Sequence, residues 1–426
     1  MSQHEFVAGL DDRYFAGRLS PVVREAMSTL PIERADARAM IERVCRLMHR
    51  AGVPAEDVST FQGGMLGSLI SRLLPGNWEG RVPPITVAGR HRRIDQLVAT
   101  LFPVPGRMLD VACGFPPMTT LDSAEALPGW EIVGADRALP HYLVHDGLGN
   151  YAVFDETGRA TYFQPLIPTG DSWAALLADW EASRARFEAL LQQLLASGAA
   201  SDAGDRGAAG ATLSIEPAEG YARSGLRFVR SDLADLATTP ANVVRCFNML
   251  MYFDAGFRAA ALRQFASLLV EDGLLVCGTN WAGTIECRYF TYRKRGAALV
   301  PHEFAFSVDN MAPFGVVPFY ALQDDDIEVE TLGRLCAILR DDPAFAPRAR
   351  ALNDRLRLEY GLSPRGDDGY TGDLSTAVDP AELWTRSIAM SDRLDADLAA
   401  EAAAALARHG YRTRVNEVGH VAIALA

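Results

Sequence analysis

The sequence predicts an α/β protein built on a parallel sheet, preceded by an N-terminal helical segment and interrupted by two large insertions. Three observations predict it. From residue 106 onward, short apolar runs alternate with turns and helical stretches, as in strands buried on both faces. Two of those runs end on an acid: Met108-Leu109-Asp110-Val111-Ala112-Cys113-Gly114 and Trp130-Glu131-Ile132-Val133-Gly134-Ala135-Asp136. Residues 1–95, by contrast, space their apolar side chains at helical intervals.

In the N-terminal segment, Ser20-Pro21 is a cap followed by proline at the first helical position. Met40, Ile41, Val44, Cys45, Leu47 and Met48 mark a helix that ends at Gly52-Val53-Pro54. A further helix is expected over 65–74, stopping at Pro75-Gly76, and another over 94–102 leads into the first strand. Strands are expected at 107–111, 131–135, 226–230, 242–248 and 273–279. The interval between the second and third exceeds any ordinary connection, so an insertion is placed at about 141–212. Within it, Asp155-Glu156-Thr157-Gly158 reads as a hairpin turn between apolar runs at 142–153 and 161–164. Trp173, Leu176, Leu177, Trp180, Phe187, Leu190, Leu191 and Leu194 form one helical stripe, and 197–211 is a surface loop rich in Ala, Gly and Asp. A second insertion, rich in Tyr, Phe and Pro, spans about 282–385. Its aromatics Tyr289, Phe290, Tyr292, Phe304, Phe306, Phe314, Phe319 and Tyr320 form either a pocket wall or the insertion's own core. An alanine-rich helix over 392–409, stopped by Gly410, and runs at 411–417 and 420–425 end the chain. The division is thus 1–95, a helical segment or lid, and 96–426, the core with its insertions.

Composition narrows the function. With 426 residues, 49% hydrophobic and 22% charged, the chain can bury a large core. Its 54 acidic against 41 basic residues give a net charge of −13, which disfavours nucleic acid as a partner. No apolar run reaches the ~20 residues of a membrane span, and Met1-Ser2-Gln3-His4-Glu5-Phe6 lacks a cationic-then-apolar leader. Six cysteines (45, 113, 246, 277, 287 and 336) form no C-x-x-C pair, so they read as buried thiols in a reducing compartment, most simply the cytoplasm.

The two acid-terminated strands carry the chemistry. A nucleoside-binding βαβ unit needs close backbone approach after its first strand and a carboxylate for the ribose after its second. Asp136 lies 22 positions beyond Gly114 (136 − 114), near the ~20-residue spacing such an acid keeps. A third run, Phe228-Val229-Arg230-Ser231-Asp232-Leu233, also ends on an acid. The alternative is that each is an ordinary strand-to-helix turn or cap, which Asp also favours. The pattern resembles the class I S-adenosylmethionine (SAM) methyltransferases, whose first motif runs roughly D-x-G-x-G-x-G after a strand. Here Ala112 and Pro116 replace two of the glycines, which predicts a stiffer loop. The resemblance implies a Rossmann-like methyltransferase sheet closed by a terminal antiparallel hairpin. It also implies SAM held by Asp110, Ala112, Cys113 and Gly114 at its amino acid, by Asp136 and Arg137 at its ribose, and by Asp232 and Leu233 at its adenine.

The run 242–254 (Asn-Val-Val-Arg-Cys-Phe-Asn-Met-Leu-Met-Tyr-Phe-Asp) resembles the chemotaxis-receptor carboxyl methyltransferases, which carry C-R-N-x-x-x-Y-F-D. The order Arg245-Cys246-Phe247-Asn248 departs from that pattern. By resemblance, Asn248 and Met249 touch the cofactor and Tyr252 stands at the methyl group as the catalytic candidate. The alternative is that Tyr252 and Phe253 pack in the core. Family sites use the loop after the fifth strand for the acceptor, which points to Trp281 and Tyr289 as substrate contacts. His141, His145 and His302 are candidate bases, no spacing implies a metal, and Asp324-Asp325-Asp326 reads as a solvated turn.

The expected activity is methyl transfer to a small or medium-sized molecule in an enclosed pocket, with no nucleic-acid or membrane partner and a homodimer left open. Three alternatives stand beside it. One is aminocarboxypropyl transfer or cyclisation, since Gly114-Phe115-Pro116-Pro117-Met118-Thr119 is similar to the turn of nicotianamine-synthase-like enzymes. Another is an NAD-dependent oxidoreductase, weakened by the lack of G-x-G-x-x-G. The last is a non-catalytic SAM-binding regulatory protein.

Overall fold

The alternating runs fold into a nine-stranded mixed sheet in the computed structural model, which describes residues 2–59, 86–166, 176, 178–197, 210–280, 286–312, 327–372 and 380–425. Its helices are α1 (Gln3–Phe15), α2 (Pro21–Ser28), α3 (Ala35–Arg50), α4 (Arg92–Leu101), α5 (Met118–Ala126), α6 (Trp180–Ala196), α7 (Ala255–Leu268), α8 (Ile327–Asp341), α9 (Phe345–Glu359) and α10 (Pro380–Arg408). The parallel strands are β1 (Arg107–Val111), β2 (Glu131–Ala135), β7 (Leu226–Val229), β8 (Ala241–Phe247) and β9 (Leu269–Thr279). They lie in the order β7-β2-β1-β8-β9, third-second-first-fourth-fifth along the chain. The order therefore reverses between β1 and β8, and a doubly wound sheet opens its ligand crevice outside the carboxyl ends at that point.

The first insertion builds a separate antiparallel sheet, β5-β4-β3-β6, from β3 (Tyr142–His145), β4 (Asn150–Phe154), β5 (Ala160–Pro165) and β6 (Thr212–Ile215). Its hairpin is held by Asp155, whose Oδ1 accepts from the amides of Thr157 and Arg159. Phe154, Phe163, Phe187 and Leu191 are fully buried between this sheet and α6.

Part of the second insertion corrects the sequence reading. Residues 288–306 form β10 (Arg288–Arg295) and β11 (Ala298–Phe306), and this hairpin joins the main sheet. The terminal hairpin, β12 (Thr413–Val415) and β13 (Val421–Ala424), pairs with β11 and not with β9. The cause is the alternation of large apolar side chains. Phe290, Phe304 and Phe306 enter one core, Tyr289 and Ala305 the other, so both faces of the hairpin need cover.

Of the remaining helices of the second insertion, α8 packs on α3, and α9 packs on α8 and α10. Arg340 donates to the carbonyls of Ala51 and Met311, and Arg365 pairs with Asp57 at 2.7 Å. The expected helix over 65–74 with Pro75-Gly76, most of the loop 197–211, and Trp173, Leu177, Trp281, Phe314, Phe319, Tyr320 and Asp324-Asp325-Asp326 lie outside the described residues.

Candidate active site

The register of the sheet sets Asp110 between Gly134 of β2 and Arg245 of β8. Arg245 is completely buried, and all its donors are used. Nε and Nη2 reach the two oxygens of Asp110 at 2.9 and 2.6 Å. Nη1 reaches Asp95 Oδ1 of α4 at 2.8 Å and Ser123 Oγ of α5 at 2.7 Å, and Nη2 also reaches the Thr119 carbonyl at 3.2 Å. Thr120 Oγ1 donates to Asp110 Oδ2 at 2.6 Å. Burial opposes the guanidinium's charge, but Asp110 and Asp95 outweigh it and hold the pKa above its ordinary value. Burial pushes the Asp95 carboxyl up to about 6, against the pull of Arg245 and the Ser123 hydroxyl. The Asp110 side chain is therefore turned into the protein, holding the turn that follows it.

That turn has Ala112 at φ 61° and Gly114 at φ 67°, a left-handed conformation that costs an alanine about 1 kcal/mol. The Ala112 and Cys113 amides donate to the Ala135 carbonyl at 2.8 and 3.3 Å, and the Gly114 amide donates to Asp136 Oδ2 at 2.9 Å. These amides, expected to reach a ligand, instead fasten the turn to the exit of β2. The turn leads into the N-terminus of α5, whose N-cap Pro117 makes no side-chain cap and whose first amide, Met118, is taken by Thr86 Oγ1. Cys113 is buried, its sulfur packed where Gly134 has no Cβ.

Asp136 Oδ1 accepts from the Ala138 amide at 2.7 Å, so each carboxylate oxygen takes one backbone bond and keeps a second acceptor site. Burial pushes its pKa up while those amides pull it back. The Ser231 amide donates to the Asp136 carbonyl at 3.3 Å, and Arg137 pairs with Asp232 at 3.8 Å. Asp232 is exposed and Leu233 half-buried at the exit of β7. The exits of β1, β2 and β7 thus form one contiguous surface.

On the other side of the reversal point, Asn248 at φ 55° staples β8 to β9. Its Nδ2 donates to the Asn280 carbonyl at 2.8 Å and its Oδ1 accepts from the Asn280 amide at 2.9 Å. Met249 and Tyr252 follow, both half-buried against the core, with Tyr252 in a 3-10 turn spanning Leu250–Tyr252. Thr279 Oγ1 and Arg288 Nε both donate to Glu328 Oε1, at 2.5 and 2.7 Å, bringing the start of α8 to the exit of β9. Tyr289 is fully buried, and its hydroxyl accepts from Asn416 Nδ2 at 2.9 Å, which makes it a packing residue under the terminal hairpin. His141 pairs with Glu216, His145 lies beside Tyr151 in the inserted sheet, and His302 is exposed on β11. Among the described residues no group of three or more His, Cys, Asp or Glu is placed to hold a metal ion.

Sequence reasoning missed His91, the N-cap of α4. Because α4 runs into the start of β1, its N-terminus stands at the carboxyl edge of the sheet. The His91 ring lies 4.8 Å from that of Phe247, and burial, then the charge of Arg245, holds its pKa well below the ordinary value. The preceding strip crosses the glycine turn: Thr86 Oγ1 donates to the Pro116 carbonyl and accepts from the Met118 amide, and Gly89 donates to Asp122. A groove of about 430 Å³ lined by Leu47, Val329, Gly333 and Ala337 lies between α3 and α8, apart from these exits.

No protein family model matches the sequence, and no curated protein matches it. Solved structures do align with it. An O-methyltransferase family protein from Burkholderia thailandensis has 12% identity over 97% of this chain and 74% of its own, with a TM-score of 0.24. A coclaurine N-methyltransferase bound to N-methylheliamine and S-adenosylhomocysteine (SAH) has 11% identity over the whole of both chains, with a TM-score of 0.24. An O-methyltransferase family 2 protein from Planctomyces limnophilus, in complex with apigenin, has 15% identity over 62% of this chain and a TM-score of 0.22. The chain spans about half of that last protein, 54% of its length. No helix among the described residues is long and apolar enough to cross a membrane.

Proposed function

We propose that this chain is a SAM-dependent methyltransferase acting on a small or medium-sized molecule. The observation that carries the reading is the contiguity of the exits of β1, β2 and β7 at the reversal point, with Gly114 bonded to Asp136 and Arg137 paired to Asp232. SAM, when bound, supplies a methyl group already activated on a sulfonium. The carbonyls of the 112–114 turn and the α5 N-terminus would hold its amino acid. The remaining acceptor sites of Asp136 would take the ribose hydroxyls, and Asp232 with Leu233 would take the adenine. Asn248 and Met249 would border the cofactor by their backbone, and Tyr252 would stand beside the transferred methyl. With methyl transfer needing alignment and exclusion of water above all, walls from both sides suit it: the 86–91 strip over the glycine turn and the start of α8 at β9.

The test is calorimetry with SAM and SAH, followed by mass spectrometry of the products formed with a panel of small acceptors. The reading expects saturable SAH binding and release of SAH with a methylated acceptor. Release of methylthioadenosine instead would move the chain to aminocarboxypropyl transfer, and no binding of either ligand would remove the cofactor.

A further inference from the structure

Resting on the cofactor reading above, we infer that Arg245 is a positioning residue for the amino-acid end of the cofactor, one that fixes the 112–114 turn without touching any ligand. Arg245 has no solvent exposure, so it contacts nothing in the crevice. What it does contact belongs to four elements that meet under the turn: its own β8, Asp110 on β1, Asp95 on α4, and Ser123 with the Thr119 carbonyl on α5. Two of these contacts aim the cofactor's surroundings directly. Asp110 stands two residues before Ala112, and Thr119 lies in the first turn of α5, the helix end that would face the cofactor carboxylate.

Stability alone is a poor reason for this arrangement. A buried charge network is costly to desolvate, and apolar residues of similar volume often match or exceed it. A planar guanidinium offers five donors in fixed directions, and here they tie β1, α4 and α5 together beneath the turn. The adenosine end is built differently. Asp136 and Asp232 make no bond to Arg245: the turn reaches the exit of β2 through the amides of Ala112, Cys113 and Gly114, and Asp232 is tied to that exit by Arg137. Loosening Arg245 therefore moves one end of the cofactor site and spares the other.

The experiment compares two ligands by calorimetry: SAH, and methylthioadenosine, which keeps the base, sugar and sulfur but lacks the amino acid. Arg245→Lys keeps the charge but offers three donors in place of five. It should weaken SAH by about tenfold or more and change methylthioadenosine by less than about twofold. Thr120→Val, which removes a single bond to Asp110 and leaves the charges in place, should weaken SAH by about threefold with methylthioadenosine unchanged. If Arg245→Lys does not fold, as judged by its melting curve, Thr120→Val decides. Equal weakening of both ligands, or no change in either, in a folded variant of a wild type that binds SAH would overturn the positioning role alone. A wild type that binds neither ligand would overturn the cofactor reading and this role with it.

Discussion

Asp136 and Asp95 are both buried carboxylates near the candidate crevice, and their partners set them apart. Asp136 takes one backbone amide on each oxygen and keeps a further acceptor site on each. Asp136→Ala should therefore weaken SAH binding by about tenfold or more, the scale of a lost charged acceptor. An unchanged dissociation constant by calorimetry would remove its ribose role. Asp95 carries a pKa of about 6 in the folded chain against about 4 when unfolded. The folded state thus binds this proton more tightly. The stabilisation it brings is complete below about pH 4 and is lost as the pH rises through about 6. Asp95→Asn has no such proton to lose. Between pH 5 and pH 8 it should gain about 1 kcal/mol on the wild type in denaturant unfolding. A difference that does not move with pH would place the Asp95 titration elsewhere.

At the scale of elements, β2 depends on a close approach by the Phe228 ring of β7 and the Cys113 sulfur of the turn after β1, which only glycine permits. A Cβ on Gly134 would lie 2.7 Å from the Phe228 ring and 3.2 Å from the Cys113 sulfur. Gly134→Ala should cost about 1–3 kcal/mol of overpacking, read as a lower denaturation midpoint. A midpoint equal to that of the wild type would show that the ring yields freely. These strands were legible in the sequence because each is an apolar run that halts on an acid, and β1, β2, β7, β8 and β9 fall where the alternation put them. The network behind them was not. Arg245 and Asp110 are 135 positions apart, and nothing local in either run marks the pair. His91 left a faint signal, its place just before the helix that leads into β1. Residues 288–306 read as an insertion because an aromatic-rich hairpin has the same composition whether it covers a pocket or joins a sheet.

For the whole molecule, the two segments that looked like additions to the core prove to hold each other. Arg340 of α8 reaches back to the Ala51 carbonyl at the end of α3, and Tyr370 donates to the Arg18 carbonyl. Arg340→Ala would leave the Ala51 and Met311 carbonyls without this donor and should cost about 2 kcal/mol of unfolding free energy. Retention of full stability would mean that the N-terminal helices dock by apolar contact alone. The 86–91 strip is held at the glycine turn by its bonds to Pro116, Met118 and Asp122, and the start of α8 is held at the exit of β9 by Glu328, so the two flank the crevice of the proposed site. The most direct measurement is a crystal structure of the chain grown with SAH. The account predicts its amino acid against the 112–118 turn, its ribose on Asp136 and its adenine by Asp232 and Leu233. SAH seated anywhere else, such as the groove between α3 and α8, would contradict it.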